Sequence, residues 1–310
     1  MTDTAWRGVQ TSQPIMSVKP VTLAAPGRGC DLQVRVSAPT SGRDLPVIVF
    51  SHGFGQSMDG YSPLVDAWAG HGFVVVQPAH LDSVTVNLPP DDPRPPSIWR
   101  TRVDDLTSVL DQLDVIEAAV PELGGRIDRD RVAVAGHSWG AQSASALAGA
   151  RVFNAAGTPG PSMAYPRLKA AVLLCLPGTG GAHLTPFAAE NFPFMNPDFA
   201  DMSTPSLVVA GDHDDSPLTV RGPDWFTDGY RLSPGATDLL TILGGEHSLG
   251  GIYGYNSTGT TDESPERVAL VQQATLAYLR TAVGLDARAW PAMRQDLASV
   301  DDPQGRIDSK

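Results

Sequence analysis

The amino-acid sequence predicts an α/β fold, with a mostly parallel central sheet and helices on both of its faces. Short, continuous apolar runs are the first observation, because strands covered on both faces have this composition. Helical patterns between the runs are the second observation, since strands and helices alternate in such folds. The apolar runs are residues 46–50, 73–77, 131–135, 168–175, 205–210 and 238–243.

The remaining elements follow from local patterns. Residues 31–38 alternate between polar and apolar side chains, which predicts a half-exposed antiparallel strand. Helical patterns follow Tyr61, occupy residues near 98–118, and resume directly after Ser138. The last helix is predicted over 264–284, because a serine at its N-cap position is followed by proline and a glycine marks its end.

This alternation predicts one α/β domain over residues 20–284. Residues 1–19 are predicted to be an N-terminal extension, and residues 285–310 a short helix followed by a charged, frayed tail. Two long stretches rich in proline and glycine, 79–97 and 176–204, show no clear period. Loops of that length are usually functional or mobile, and we interpret 176–204 as a lid-like insertion.

Composition excludes several classes of partner. Asp and Glu number 34 against 22 Lys and Arg, giving a formal charge of −12, which argues against binding nucleic acid or anionic lipid. Cys30 and Cys175 form neither a disulfide framework nor a zinc site. The first residues lack the apolar region of a signal peptide, and no stretch reaches membrane-spanning length, so we expect a cytoplasmic protein without a membrane partner.

Residues 136–140, GHSWG, match the pattern G-x-S-x-G at the junction of a buried strand and a helix. A sharp turn there crowds the backbone and needs glycine on both sides of Ser138. Such a turn holds the serine hydroxyl clear of the sheet, at a helix N-terminus that favours developing negative charge. The pentapeptide alone is weak evidence, but its context favours a nucleophile over a plain turn.

A serine nucleophile needs a histidine base, which in turn needs an orienting acid. The histidines that follow Ser138 are His183, His213 and His247. Carboxylates cluster at residues 211–215, after one predicted strand, and only His247 lies beyond that cluster, after the next predicted strand. Serine, acid and histidine therefore each follow the carboxyl end of a parallel strand, the edge where sites in open α/β sheets gather.

Within the acidic cluster we predict Asp214 as the acid. It lies three residues beyond Gly211 and precedes Asp215-Ser216-Pro217, which resembles the G-x-x-D…P arrangement that follows this strand in many related proteins. Asp212 is the second candidate and Asp215 the third. A solvated acidic loop or a cation site is the alternative reading of the cluster. The sequence DHDD lacks EF-hand spacing and no H-E-x-x-H occurs, so no metal ligand is predicted.

Ester attack also requires donors for the resulting oxyanion. Residues 51–55, SHGFG, follow the strand at 46–50 and therefore lie at the same predicted edge. We predict the backbone N–H groups of Phe54 and Trp139 as the two donors, with His52 holding the loop. The alternative interpretation of residues 51–55 is a simple turn between a strand and a helix.

The motifs HGFG, GHSWG, GDHD and GEHS resemble the α/β-hydrolase superfamily over residues 20–284, and most closely the branch of dienelactone hydrolases, chlorophyllases, polyester-degrading cutinases and platelet-activating-factor acetylhydrolases. The resemblance implies a catalytic domain of a serine carboxylic-ester hydrolase that needs no cofactor. It places Ser138, Asp214 and His247 at the catalytic positions and Phe54 in the oxyanion loop. Dienelactone hydrolases differ by using cysteine as nucleophile.

The segment 186–199 is rich in aromatic residues, and we predict that Phe187, Phe192 and Phe194 cover an apolar substrate pocket to which Trp225 adds a wall. A small-molecule ester with a medium acyl chain or an aromatic group is the expected substrate. Ordinary loop packing is the alternative for these rings. An acyltransferase or thioesterase would use the same triad, and a non-catalytic binding protein could share the fold.

Overall fold

The computed structural model describes residues 12–86, 88–89, 91–154, 156–255 and 259–310. The first eleven residues of the predicted extension, and residues 87 and 90 of the loop 79–97, lie outside the described residues. The strands are β1 (Ile15–Leu23), β2 (Leu32–Pro39), β3 (Leu45–Ser51), β4 (Val74–Pro78), β5 (Ile127–His137), β6 (Arg151–Val152), β7 (Leu168–Leu174), β8 (Pro197–Asp198), β9 (Ser206–Gly211), β10 (Ala236–Ile242) and β11 (Gly305–Ser309).

The main sheet of the described chain has nine strands in the order β1-β2-β4-β3-β5-β7-β9-β10-β11, and β6 pairs separately with β8. The six central strands, β4, β3, β5, β7, β9 and β10, run parallel to one another. Antiparallel pairs occur toward the two edges, between β1 and β2, β2 and β4, and β10 and β11. The predicted α/β class with a mostly parallel sheet is confirmed.

Helices pack against the sheet and against one another. They are α1 (Ser62–Gly70), α2 (Ile98–Asp111), α3 (Leu113–Ala119), α4 (Trp139–Leu147), α5 (Pro186–Asn191), α6 (Asp228–Leu232), α7 (Pro265–Ala282) and α8 (Ala289–Ala298). Helix α1 packs against α7, and α2 packs against α4. The single helix predicted near 98–118 is divided into α2 and α3 at Gln112. Within the described ranges no helix is long and apolar enough to cross a membrane.

The register of the parallel strands aligns their carboxyl ends. Ser51 at the end of β3 pairs with Gly136 of β5, and Gly136 in turn pairs with Leu173 of β7. Gly211 at the end of β9 pairs with Ile242 at the end of β10. The segments that follow these strands therefore emerge at one edge of the sheet.

The ends of the chain depart from the predicted boundaries. Strand β1 begins at Ile15, inside the predicted extension, and it carries a proline and a register shift between Val18 and Val21 that hide its alternation. The predicted frayed tail is wrong for residues 305–309, because these residues pair with β10 as the strand β11. That strand has one large apolar side chain, Ile307, as suits a charged edge strand.

Candidate active site

The structure brings Ser138, His247 and Asp214 together at the carboxyl edge of the sheet. The Nε2 atom of His247 lies 2.9 Å from the Oγ atom of Ser138. The Nδ1 atom of the same ring lies 2.8 and 3.1 Å from the two carboxylate oxygens of Asp214. The Asp214 side chain is 1% exposed whereas that of His247 is 39% exposed, so the imidazole faces solvent and the acid stays behind it. The arrangement can move a proton from a hydroxyl to a base.

Ser138 occupies a strained corner between β5 and α4. Its backbone has φ 57° and ψ −122°, a conformation that non-glycine residues rarely adopt. A Cβ atom at Gly136 would lie 2.2 Å from the carbonyl oxygen of Gly140, and a Cβ atom at Gly140 would lie 2.0 Å from that of Ser51. Both glycines of the pentapeptide are therefore required by close backbone packing, as the sequence predicted.

The other two candidate acids have different surroundings. One carboxylate oxygen of Asp212 accepts a hydrogen bond of 2.6 Å from the backbone N–H of Gly244, which fixes the turn after β10. Asp215 is exposed at the surface. Of the three, Asp214 is the one whose carboxylate reaches the His247 ring.

The predicted oxyanion donors lie on adjacent segments. The ring of Phe54 lies 5.3 Å from the ring of Trp139, measured between centroids. Trp139 is the first residue of α4, where a backbone N–H has no carbonyl partner inside the helix. Among the hydrogen bonds of the described chain, none uses the backbone N–H of Phe54. Both groups are therefore available to a ligand.

A buried arginine, which the sequence analysis missed, fixes the loop that contains Phe54. The Arg102 guanidinium is fully buried and donates to the carbonyl oxygen of His52, and to both oxygens of Asp82 at 2.6 and 2.8 Å. Asp82 also accepts a hydrogen bond of 3.2 Å from the backbone N–H of Gly55. Both sides of Phe54 are thus tied to one ion pair. The sequence offered one signal for this role, because Arg102 places a charge on the mostly apolar face of α2.

A second Ser-His-Asp arrangement lies beneath this loop. The Oγ atom of Ser51 is 2.9 Å from Nε2 of His80, and Nδ1 of His80 is 2.9 Å from Asp105. Burial, followed by the Arg102 charge, lowers the pKa of His80 well below its usual value. Burial raises the pKa of Asp105 to about 7, although the nearby Arg28 opposes this rise. Because all three side chains are at most 2% exposed, no substrate reaches this Ser51 and the arrangement is structural.

The loop that carries His247 is organised by Asp262, which no motif predicted. Its carboxylate accepts hydrogen bonds of 2.8 Å from the backbone N–H groups of Glu246 and Gly250, and a further one from the Ser248 hydroxyl. Burial favours the neutral acid, but these hydrogen bonds outweigh burial and lower the pKa of Asp262. The charged carboxylate therefore holds both flanks of His247.

Three of the aromatic residues predicted for the substrate pocket form a strip beside Ser138, and the side chains of the two predicted oxyanion donors join them. We define this aromatic rim as Phe54, Trp139, Phe187, Phe192 and Phe194. The rings of Trp139 and Phe194 stack with 5.1 Å between centroids. Phe54 and Phe187 are each 60% exposed, so the rim presents apolar surface to solvent.

Trp225 does not belong to this surface, and its predicted contact with substrate is wrong. Its side chain is fully buried, packs against Phe226, and donates from Nε1 to the carbonyl oxygen of Thr179 at 2.9 Å. The short 3₁₀ helix Pro223–Thr227 turns the indole into the core. Phe226, in contrast, lies 5.6 Å from the His247 ring and supports it.

A polar cavity of about 390 Å³ adjoins His247, and Asp215, Glu246 and Tyr253 are among the residues that line it. Near it, the ligand atoms of His137, Cys175 and His247 lie within 4.8 Å of one another and could hold a metal ion. Both ring nitrogens of each histidine already have hydrogen-bond partners. A metal ion would therefore have to displace these contacts, so the cluster fits a hydrogen-bond network better.

The amino-acid sequence matches a family model among known proteins. Residues 16–156 match the family model Chlorophyllase, a family of α/β-hydrolase type. The matched range contains Ser138 and the oxyanion loop but ends before Asp214 and His247. No curated protein matches the chain. The match suggests an esterase-type hydrolase, and the mostly parallel central sheet with its helices is consistent with an α/β-hydrolase fold.

Proposed function

We propose that the protein is a serine carboxylic-ester hydrolase with Ser138 as nucleophile, His247 as general base and Asp214 as the orienting acid. The observation that carries the proposal is the continuous hydrogen-bonded path from Ser138 Oγ through the His247 ring to Asp214, with distances of 2.9 and 2.8 Å. These distances lie in the range that proton transfer between a nucleophile and its base requires. The chlorophyllase match supports the same reaction class.

In the proposed reaction, each group has a defined role. His247 takes the hydroxyl proton as Ser138 Oγ attacks the ester carbonyl, and Asp214 stabilises the imidazolium. The backbone N–H groups of Phe54 and Trp139 hold the oxyanion. The alcohol then leaves with the proton from His247. Water, deprotonated by His247, attacks the acyl-enzyme, and the carboxylic acid is released as Ser138 Oγ takes the proton back from His247.

Covalent labelling tests the proposed nucleophile. A fluorophosphonate loses fluoride to an activated serine, so we expect one stable adduct on the peptide that contains Ser138, detected by mass spectrometry. Urea-unfolded protein is the control, because unfolding separates Ser138 from His247 and should abolish labelling. A native chain that stays unlabelled would contradict the proposal and favour a binding protein, and a chain labelled only at another residue would contradict Ser138 as the nucleophile.

For the substrate, we propose an ester with a medium-length acyl chain or an aromatic group. The aromatic rim supports this assignment, because it offers exposed apolar surface directly beside the nucleophile. The rim flanks Ser138 on the side of the oxyanion loop and of the segment 186–199, so an apolar chain bound there would extend away from the reacting carbonyl.

Truncation of one rim residue should change acyl preference. In Phe187→Ala we expect kcat/KM for p-nitrophenyl octanoate to fall about tenfold, since partial burial of a phenyl ring is worth roughly 1–1.5 kcal/mol. Acetate turnover should stay unchanged, because an acetyl group has a single methyl group to place against the rim. Leu232→Ala removes a similarly exposed apolar side chain outside the rim and should leave kcat/KM unchanged for both substrates. Equal losses on both esters in Phe187→Ala would refute the rim as an acyl site.

A further inference from the structure

His137, the residue before the proposed nucleophile, is buried against the catalytic histidine. It is the last residue of β5, is 1% exposed, and its ring lies 4.8 Å from the ring of His247. Its Nε2 atom is 2.9 Å from the backbone carbonyl oxygen of His247, and its Nδ1 atom is 3.0 Å from the hydroxyl of Tyr61. Burial keeps this ring away from substrate, so any role in the reaction acts through its neighbours.

Chemistry fixes the direction of these hydrogen bonds. A carbonyl oxygen can only accept, so Nε2 of His137 must carry the proton. Burial, together with the nearby His247, lowers the pKa of His137 well below its usual value, so the ring is neutral and Nδ1 is an acceptor. The Tyr61 hydroxyl therefore donates to Nδ1. The hydroxyl oxygen in turn accepts a hydrogen bond of 3.0 Å from the backbone N–H of Gly53.

The result is one directed path from Gly53 through Tyr61 and His137 to the His247 carbonyl. Gly53 directly precedes the oxyanion donor Phe54, and His137 directly precedes Ser138. The path thus joins the three segments that must converge for ester attack. Tyr61 is itself held firmly, because its ring is fully buried against Phe50 with 4.8 Å between centroids.

We propose that His137 and Tyr61 are positioning residues that set the oxyanion loop and the catalytic histidine at their working distances from Ser138. The proposal rests on the proposed esterase function. Neither residue touches substrate, so both act on the rate of the chemical step. A displacement of about 1 Å at reacting groups can cost about a hundredfold in rate, which gives the scale of the expected effects.

Tyr61→Phe tests the path with the smallest change, since it removes the hydroxyl and keeps the buried ring. We expect kcat to fall about 10- to 100-fold with KM changed less than about twofold, and fluorophosphonate labelling to slow in parallel. Tyr278→Phe is the matched control, because Tyr278 is also buried but packs against Trp290 in the α7–α8 region. It should leave kcat unchanged.

Variants of His137 and the tautomer of its ring distinguish positioning through hydrogen bonds from simple packing. Gln offers both a donor and an acceptor, so His137→Gln should retain at least about ten times the kcat of His137→Met, which offers no donor. In the wild-type protein, nitrogen-15 NMR should show His137 as the neutral Nε2–H tautomer. An Nδ1–H tautomer, or wild-type kcat in Tyr61→Phe, would overturn the positioning role. The esterase proposal would still hold in that case, provided that the wild-type protein turns over esters and is labelled at Ser138. A wild-type chain that neither turns over esters nor labels would overturn both.

Discussion

Ser138→Ala should lower kcat on p-nitrophenyl esters by about 10⁵- to 10⁶-fold, which is the largest effect that we expect from any single change. The variant keeps the oxyanion donors and the aromatic rim, so the residual rate should still exceed that of water. Stability should hold, because alanine loses one hydrogen bond, to His247 Nε2, and occupies the same backbone conformation as serine. Steady-state kinetics and thermal unfolding of the purified variant measure both quantities.

Two matched pairs of variants separate chemistry from structure in this experiment. Ser145→Ala removes a buried hydroxyl from the same helix, where it bonds to the carbonyl of Gln142, and should leave kcat near the wild-type value. Asp214→Asn should lower kcat by about 10⁴-fold, because asparagine favours the His247 tautomer that cannot accept the Ser138 proton. Asp215 is exposed, and Asp215→Asn should leave kcat unchanged. Substantial turnover in Ser138→Ala would remove Ser138 from the mechanism.

Much of the sheet could be predicted because its central strands are buried on both faces and therefore continuous in apolar residues. The run at 46–50 lies within β3, whose seven residues are all buried. The edge strands β1 and β11 were not predicted. An edge strand tolerates a proline, as in β1, or a high content of charged residues, as in β11, and such a strand lacks a continuous apolar run.

The three residues proposed for catalysis could be identified by their order along the chain, because each follows a parallel strand. The supporting contacts could not, since they join residues far apart in sequence whose pairing depends on packing. Arg102 donates hydrogen bonds to Asp82 and to the carbonyl oxygen of His52, and no local sequence pattern predicts either partner. Trp225 shows the converse, because an aromatic residue in a loop can be either surface or core until the backbone turn is known.

Arg102→Met is expected to give the largest loss of stability. Methionine fills most of the same volume but leaves the Asp82 carboxylate, whose side chain is 5% exposed, without its cation. Breaking a buried ion pair from one side costs about 3–5 kcal/mol of the free energy of unfolding. Urea denaturation measures this loss. Arg306→Met breaks an exposed ion pair, with side chains 58% and 49% exposed, and should leave stability nearly unchanged.

The double variant Arg102→Met/Asp82→Leu distinguishes the two roles of the ion pair. Replacing both charges with apolar side chains removes the unpaired carboxylate, so much of the lost stability should return. Activity should not return, because the carbonyl of His52 and the N–H of Gly55 still lack the groups that hold the oxyanion loop. Arg102 also lies 4.9 Å over the ring of Trp139, the residue of the second donor, so its loss loosens both halves of the oxyanion hole. A stable double variant with wild-type kcat would show that the ion pair serves folding alone and that the loop keeps its working geometry without it.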